Sequence, residues 1–285
     1  MGTNLVVALD GLAYGMLLVL VASGLTLTLG IAHVLNLTHG TLYLIGAYIG
    51  WTLIGATWAG MVAALGAAAV LGTIAGTGIA GLRALVPDQL QQALATIGIA
   101  LIAGYLLTEV FGAEPRSVDP PRPLAGSVTI AGQPYPTYRL ALIAAAAVVT
   151  AGLWLTVART RAGARLRAAA ENPARLATLG VEPRRVHALA LAAGGVLATL
   201  AGVLGAPVLG PAPGVDYTVL VLSLIIVVAG GPGSIGGALL AGLAVGQLQT
   251  TAVTAWPTAA PYLIYGLLAV VLALRAVLHR RAGVT

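Results

Sequence analysis

Residues 159–186 read RTRAGARLRAAAENPARLATLGVEPRRV and contain seven of the 14 arginines of this 285-residue chain. The 72 residues from Gly11 to Leu82, by contrast, carry no formal charge. Placing one arginine at the centre of a bilayer costs about 2.5–3.5 kcal/mol, so seven would oppose insertion by roughly 20 kcal/mol. The segment 159–186 is therefore predicted to lie outside the membrane, and its positive charge indicates the cytoplasmic side.

The overall composition excludes a soluble globule. Hydrophobic residues make up 59% of the chain and charged residues 8%, with a mean hydropathy of +0.99. So little polar surface cannot cover a soluble domain. We predict an all-α fold, a polytopic bundle of transmembrane helices that forms a single domain over residues 1–285. An apolar stretch of about 20 residues crosses the hydrocarbon layer, and about nine such spans (8–10) can be counted, at 8–30, 37–57, 60–82, 90–111, 139–158, 187–209, 216–231, 235–254 and 258–278.

An odd number of spans places the two chain ends on opposite faces. Met1 is then external, and the basic C-terminal residues Arg275, His279, Arg280 and Arg281 share the cytoplasm with the arginine-rich segment. Between the fourth and fifth spans, residues 112–138 carry six of the 15 prolines and predict an ordered external excursion.

Glycine and polar residues interrupt the apolar pattern at two places. The interruptions are Asn36-Leu-Thr-His39-Gly40 and Gly230-Gly-Pro-Gly-Ser-Ile-Gly-Gly237. We predict broken helices near 33–40 and 230–237, because non-helical backbone at membrane depth is tolerated where protein or a water-filled cavity surrounds it. The closely spaced glycines elsewhere, such as Gly194 and Gly195, are typical of tight helix packing in lipid.

Within the arginine-rich segment, residues 172–180 have the punctuation of a short helix. Asn172 can cap it, Pro173 suits its first turn, and Gly180 suits the left-handed position after its end. Leu176 and Leu179 then form a small apolar face. A helix of two turns is marginal alone in water, so we predict that it docks on a partner protein. The alternative is a solvated basic loop that only sets the topology.

The predicted spans contain almost no ionisable side chains. The exceptions, all near predicted span ends, are Asp10, Arg83, Asp88, Glu109 and Asp216. A carrier driven by protons or sodium usually needs carboxylates or a charged relay inside the membrane. The chain also has no lysine, which a Walker A loop requires. Energy for any transport would therefore enter from outside the chain.

Six polar residues are candidates for lining a path through the membrane. They lie beside the predicted breaks or inside apolar spans, and they are Asn36, His39, Tyr43, Thr96, Ser223 and Ser234. A neutral polar lining suits a small zwitterionic or uncharged solute better than an ion. Alternatively, these side chains satisfy the broken backbone or bond neighbouring helices.

Catalysis and metal binding find little support. The sequence has no Gly-x-Ser-x-Gly elbow and no His-Glu-x-x-His pattern. No acid or cysteine accompanies His33 and His39, so no metal site is predicted. A membrane-embedded enzyme that uses His39 remains a third class of function to test.

Several collinear segments resemble the LivH-type permease subunits of ABC importers for branched-chain amino acids. The resemblance covers most of the chain. It rests on Gly24-Leu-Thr-Leu, Val34-Leu-Asn-Leu-Thr-His-Gly, Gly46-Ala-Tyr, Leu94-Ala-Thr-Ile-Gly-Ile, Phe111-Gly-Ala-Glu-Pro-Arg-Ser-Val, Arg165-Leu-Arg-Ala-Ala-Ala-Glu-Asn-Pro-Ala-Arg-Leu-Ala-Thr-Leu-Gly-Val and Ala229-Gly-Gly-Pro-Gly-Ser-Ile-Gly-Gly-Ala.

The resemblance implies a pore subunit of the bacterial inner membrane that is not itself an enzyme. Its expected partners are a second permease subunit (LivM-like or a copy of itself), two cytoplasmic ABC ATPases and an external solute-binding protein. Docking of the binding protein is expected on 112–138 and 205–218. No cofactor is expected in this chain, since ATP and magnesium would bind to the ATPases. The resemblance makes Glu171, Asn172, Leu176, Leu179 and Gly180 the ATPase contact.

The substrate class stays open at this point. A small amino acid of the branched-chain type is the first expectation. Permeases for urea or short amides are similar, and a self-contained secondary carrier or channel is the rival from another class.

Overall fold

The helices follow the predicted spans in order. The computed structural model describes residues 2–86 and 88–281, with side chains described except at positions 2, 3, 84, 260, 261, 264 and 274–281. In this part of the chain the helices are α1 (Gly2–Gly30), α2 (His39–Leu53), α3 (Trp58–Leu85), α4 (Gln89–Phe111), α5 (Thr137–Arg159), α6 (Arg161–Glu171), α7 (Pro173–Thr178), α8 (Pro183–Leu209), α9 (Val215–Gly230), α10 (Ile235–Ala255) and α11 (Ala260–Arg281).

The structure confirms an all-α polytopic bundle but not the count of nine crossings. Six of the described helices are long and apolar enough to span a membrane, namely α1, α3, α4, α5, α8 and α10. Helices α2 and α9 have only 15 and 16 residues. At 1.5 Å per residue they reach about 23 Å, less than the roughly 30 Å of the hydrocarbon layer. The side chains of Arg275, His279, Arg280 and Arg281 lie outside the described residues.

The bundle has two ends, which can be told apart by their contacts. Asp10, early in α1, forms an ion pair with Arg139 at the start of α5. Beyond the other end of α1, Nε2 of His33 lies 3.3 Å from the carbonyl oxygen of Ala170 in α6. We call the first the hairpin end, after the strand pair within 127–136, and the second the arginine-loop end, after the arginine-rich segment 159–186. Gln247, in the second half of α10, donates to the carbonyl of Ala8 in the first turns of α1 (2.7 Å). Helix α10 therefore runs antiparallel to α1.

Both predicted helix breaks are present, and they pack against each other. The chain leaves helical geometry at 31–38 and again at 231–234. A Cβ added at Gly30 would lie 2.2 Å from the backbone nitrogen of Gly233. Both breaks therefore meet at the arginine-loop end of the bundle.

Helix α8 occupies the centre, and its glycines let three other helices approach its backbone. A Cβ added at Gly195 would lie 2.2 Å from the carbonyl oxygen of Gly72 in α3, and one at Gly202 would lie 2.0 Å from that of Tyr43 in α2. A Cβ added at Gly194 would lie 2.9 Å from the carbonyl oxygen of Gly24 in α1. Close approach of this kind is what holds helices together in lipid, where apolar burial alone drives no association.

The excursion over 112–138 is ordered, and it contains two short strands that the sequence analysis did not predict. Strands β1 (Ser127–Ile130) and β2 (Gln133–Pro136) pair antiparallel. Ala131 and Gly132 connect them with φ of 51° and 80°, as a type I′ turn requires. The Ala-Gly pair was the available signal, but its flanking strands are too short to show alternation.

Contacts of Arg116 and Tyr135 join the excursion over 112–138 to the rest of the bundle. Arg116 donates its backbone N–H to the carbonyl of Pro211 (3.0 Å), and its guanidinium lies 5.2 Å from the ring centroid of Trp51. Tyr135 is fully buried. Burial, together with the nearby Asp10 carboxylate, raises the pKa of its hydroxyl to about 12.

We predict that Gly46→Ala destabilises the bundle while Gly152→Ala does not. The new Cβ at position 46 would lie 2.0 Å from the carbonyl oxygen of Thr199, whereas nothing lies within 4 Å of one at position 152. Overpacking of this kind costs about 1–3 kcal/mol, and alanine in place of an unconstrained helical glycine contributes up to about 1 kcal/mol of stability. Thermal melting of the detergent-solubilised proteins compares the two, and equal melting temperatures would contradict the packing described.

Candidate functional site

The first break turns the chain back into the bundle before α2 begins. Val34 donates its N–H to the carbonyl of Thr28 (3.1 Å). The side-chain oxygen of Asn36 then accepts from the backbone N–H of Thr38 (3.1 Å) and from its hydroxyl (2.5 Å). This local turn satisfies backbone groups that would otherwise be orphaned at a helix start.

Thr96 of α4 completes the break from the other side. Its hydroxyl oxygen accepts from the N–H of Leu37 (3.2 Å) and lies 3.3 Å from the carbonyl oxygen of Leu35. Asn36 and Thr96 are both fully buried. Two of the six residues predicted to line the path therefore belong to one buried network.

His39 begins α2 well inside the bundle. Its Nε2 donates to the carbonyl of Val21 (2.9 Å), and a Cβ added at Gly24 would lie 2.9 Å from its ring. Val21 is nine residues before the end of α1, so α2 starts about 14 Å inside that end. Helix α2 is thus a half-helix whose amino-terminal end points into the protein.

Five of the buried side-chain atoms without a hydrogen-bond partner among the described residues lie on α1, on α2 or in the break between them. They are Oγ of Ser23, Oγ1 of Thr26, Nδ2 of Asn36, Nδ1 of His39 and the hydroxyl of Tyr43. Most buried polar groups in native proteins are paired. Ser23 and Thr26 were missed in the sequence analysis because hydroxyls are common in apolar helices.

The two predicted serines lie elsewhere. Ser223 is buried in α9 and donates to the carbonyl of Val219 (2.6 Å). Ser234 is exposed and caps α10 by accepting from the N–H of Gly237 (3.0 Å). Each makes a local bond within its own helix, so the structure does not join them to the network of Asn36 and Thr96.

Asp216 is the second residue of α9, near a helix end as expected, but it is buried there. The residue is 5% exposed, and a Cβ added at Gly40 in the first turn of α2 would lie 2.2 Å from its carbonyl oxygen. One carboxylate oxygen lies 3.7 Å from the position of a Cβ on Gly104, seven residues or about 10 Å before the end of α4. The loop 210–214 joins α8 to α9 beside the excursion, where Arg116 donates its N–H to the carbonyl of Pro211, and docking of a binding protein on 205–218 stays a prediction.

Helices α2 and α9 therefore begin side by side inside the protein. A helix amino terminus carries a partial positive charge, and two of them converge where Gly40 meets Asp216. Neither of the two salt bridges between described residues involves the Asp216 carboxylate. The arrangement brings one buried acid and two helix amino termini together.

The short helix predicted at 172–180 forms as expected. The Asn172 side chain accepts from the N–H of Arg175 (3.0 Å), Pro173 opens α7, and Gly180 has φ of 75°. Helix α6 precedes it and is capped by Thr160, which accepts from the N–H of Gly163 (3.1 Å). Residues 160–182 thus form a helical pair, most of whose side chains are exposed.

The apolar face of this helix was predicted incorrectly. Leu176 is 3% exposed and packs within the chain against Ala169 and Val186. Leu179 is 76% exposed. The groove that the sequence analysis sought in a partner is supplied for Leu176 by α6 and α8, so only Leu179 remains available to another protein, beside the exposed Glu171, Asn172 and Gly180.

The difference between the two leucines predicts different effects of the same substitution. Leu176→Ala removes packing inside the chain and should destabilise residues 160–186 by about 2–5 kcal/mol, whereas Leu179→Ala should leave their stability unchanged. Trypsin cleavage at the arginines of this segment measures the effect. Equal cleavage of the two variants would show that Leu176 is not a packing residue.

The chain is similar to known permeases along nearly its whole length. A family model described as the permease component of branched-chain amino acid transport systems matches residues 7–273. The high-affinity branched-chain amino acid transport system permease protein BraD of Pseudomonas aeruginosa is 27% identical over 255 residues, which are 84% of this chain and 83% of the relative. The corresponding protein LivH of Escherichia coli K12 is 27% identical over 252 residues (83% and 82%), and that of Salmonella typhimurium is 25% identical over 256 residues (84% and 83%). No solved structure matches the chain significantly.

Proposed function

Since the chain belongs to the family of permease components of branched-chain amino acid transport systems, we propose that it forms the membrane path for a small amino acid of the branched-chain type in an ATP-driven importer. The names of the related proteins favour this substrate class over urea or short amides. The pore itself needs no catalytic group, and ATP hydrolysis belongs to partner ATPases.

The observation that carries the proposal is the contact between His33 and Ala170. It joins the break before α2 directly to the last turn of α6 at 3.3 Å. His33 also has a strained backbone, with φ of 52°. A movement imposed on the α6–α7 pair therefore reaches the half-helix that begins at His39. This is the kind of link that a transporter without its own motor requires.

The ATPase contact lies on α6, α7 and the turn after them. Glu171, Asn172, Leu179 and Gly180 are exposed there and would contact the ATPase directly. Leu176 contributes by fixing α7 against Ala169 and Val186. The segment is rigid enough to transmit force because caps and internal packing order it on both sides.

The substrate would bind where α2 and α9 begin. Discontinuous helices in transporters use their amino termini to hold anionic groups of the substrate. The carboxylate of an amino acid fits the two amino termini, and its ammonium group fits the Asp216 carboxylate. Asn36, His39 and Thr96 lie on the neighbouring turn, while Tyr43 lies one turn further along α2. Ser223 and Ser234 stay more distant candidates for the path.

The assembly would contain a second permease subunit, either LivM-like or a copy of this chain, with two ATPases at the arginine-loop end. An external binding protein would dock at the hairpin end. In this arrangement the nine helices α1–α5 and α8–α11 all contribute to crossing the bacterial inner membrane. Met1 would then be external, and the arginine-rich segment 159–186 would be cytoplasmic. The half-helices α2 and α9 cross together with the non-helical segments that precede them.

Uptake by the complete complex in liposomes tests the coupling contact. His33→Ala should lower ATP-driven leucine uptake about tenfold while ATP hydrolysis continues, since a coupling free energy of 1–3 kcal/mol is typical. His33→Gln, whose amide can still donate to the Ala170 carbonyl, should retain most of the uptake. Leucine uptake driven by a proton gradient without the ATPases would contradict the importer assignment itself.

A second substitution tests the substrate site. Asp216→Asn removes the buried negative charge and should raise the KM for leucine about tenfold or more, because hydrogen bonds to charged groups contribute about 1.5–3 kcal/mol. Glu109→Gln is the matched control, since Glu109 is an exposed acid on α4. An unchanged KM in Asp216→Asn at normal expression would remove Asp216 from the site.

A further inference from the structure

A strongly basic cavity opens between α3 and α8 at the arginine-loop end. It has a volume of about 580 Å³, and its polar lining comes from Arg83, Arg184, Arg185 and His187. No carboxylate residue lines it. Arg185 is paired with Glu182 at 2.7 Å, whereas neither Arg83 nor Arg184 forms a salt bridge within the described residues. Two uncompensated guanidinium groups therefore face one space.

The cavity also contains a buried donor or acceptor that lacks a partner. His187 is 7% exposed, and its Nε2 has no hydrogen-bond partner. The residue lies in the second turn of α8, whose first residue is Pro183. Pro183 has no N–H, and the N–H groups of Arg185 and Val186 bond the carbonyl of Glu182, so the start of α8 contributes mainly its helix dipole. Arginine side chains, helix terminus and imidazole thus converge on one anion-sized space.

A second, apolar cavity lies on the opposite face of α3 from the basic one. It has a volume of about 620 Å³ and shares Gly81 with the basic cavity. Its lining is almost entirely apolar, from Ala75, Gly78, Ile79, Leu82 and Leu85 of α3 and from residues of α2 and α4. Nothing lies within 4 Å of a Cβ added at Gly78 or Gly81, so these glycines leave an open groove.

The length of the groove matches one leaflet of a bilayer. From Ala75 to Leu85 the helix rises about 15 Å, half of the roughly 30 Å hydrocarbon layer. The groove is open at its basic end, where Leu85 is 81% exposed. A ligand that fits both cavities has an anionic head and a long apolar chain.

We propose that the two cavities form a binding site for an anionic phospholipid, with its phosphate on Arg83, Arg184 and His187 and one acyl chain along α3 in the groove. The proposal goes beyond the transport function and does not depend on the substrate. A free phosphate would share the headgroup chemistry but would leave the groove empty. Arg184 lies in the first turn of α8, the helix that follows the α6–α7 pair. A bound lipid would therefore also hold the start of α8 against α3.

Native mass spectrometry of the purified full-length chain tests the site, with dioleoyl phosphatidylglycerol and dioleoyl phosphatidylcholine as probes. The wild type should retain phosphatidylglycerol in preference to phosphatidylcholine. Each arginine near a phosphate contributes about fivefold, so the Arg83→Gln/Arg184→Gln variant should lose about 30-fold of that preference. Arg83→Lys should keep most of it. Arg122→Gln, at the hairpin end, is the control and should behave like the wild type.

A second pair of variants separates a lipid from a free anion. Gly81→Leu places a side chain in the groove and should abolish retention of phosphatidylglycerol, while Gly66→Leu on the same helix, also with nothing within 4 Å of its Cβ, should not. Inorganic phosphate at equal concentration should not displace the lipid.

Four results would overturn the proposal. The first is equal retention of the two lipids by the wild type, and the second is an unchanged preference in the double arginine variant with a normal melting temperature. The third is full displacement by inorganic phosphate together with no effect of Gly81→Leu, which would assign the basic cavity to a free anion. Loss of lipid only when a second permease subunit is added would assign the groove to that subunit and would equally overturn it.

Discussion

A backbone N–H or C=O without a partner costs several kcal/mol in hydrocarbon, and the break between α1 and α2 is organised around that cost. Asn36 and Thr96 supply side-chain atoms to the backbone of residues 35–38. With those groups satisfied, the chain can turn back and begin α2 in the interior. The same constraint explains why the break is built from neutral hydroxyl and amide side chains, which bond the backbone without introducing a buried charge.

The half-helix geometry also depends on the absence of side chains at the helix crossings. Gly40 admits the backbone of α9, and Gly202 of α8 admits that of α2. Each crossing brings a carbonyl oxygen to a distance that a methyl group would not permit. The central position of α8 follows, since its glycines face three helices. Helix α8, which follows the α6–α7 pair, is therefore packed against α1 and α2 of the candidate site and against α3.

Charge is segregated for a related reason. Arginines are confined to the ends because of their insertion cost, and seven of them lie in 159–186. Among the described acids Asp216 is the buried one, and it takes part in neither of the two salt bridges between described residues. The basic cavity at the start of α8 lies at the boundary between the two regions. There, a single ligand can place an anionic headgroup among arginines and an apolar chain in the neighbouring groove.

The sequence by itself determined those features that depend on local chemistry. Composition required a membrane-embedded helical bundle, the polar and glycine residues at 36–40 and 230–237 marked both breaks, and Asn172, Pro173 and Gly180 defined a short helix that the structure reproduces. Capping and helix termination act over a few residues, so they can be inferred from neighbouring positions. Membership of the family was likewise evident from collinear segments.

Only the tertiary structure decided which surfaces meet. Leu176 and Leu179 are equivalent in a helical pattern, yet α6 and α8 bury the first and leave the second exposed. Asp216 stands at the edge of an apolar run, and its burial follows from the packing of α9 against Gly40 of α2. Arg83 and Arg184 are about a hundred residues apart and share a cavity because α3 ends where α8 begins. Contacts of this kind arise from the packing of distant segments, which periodicity and local propensity do not encode.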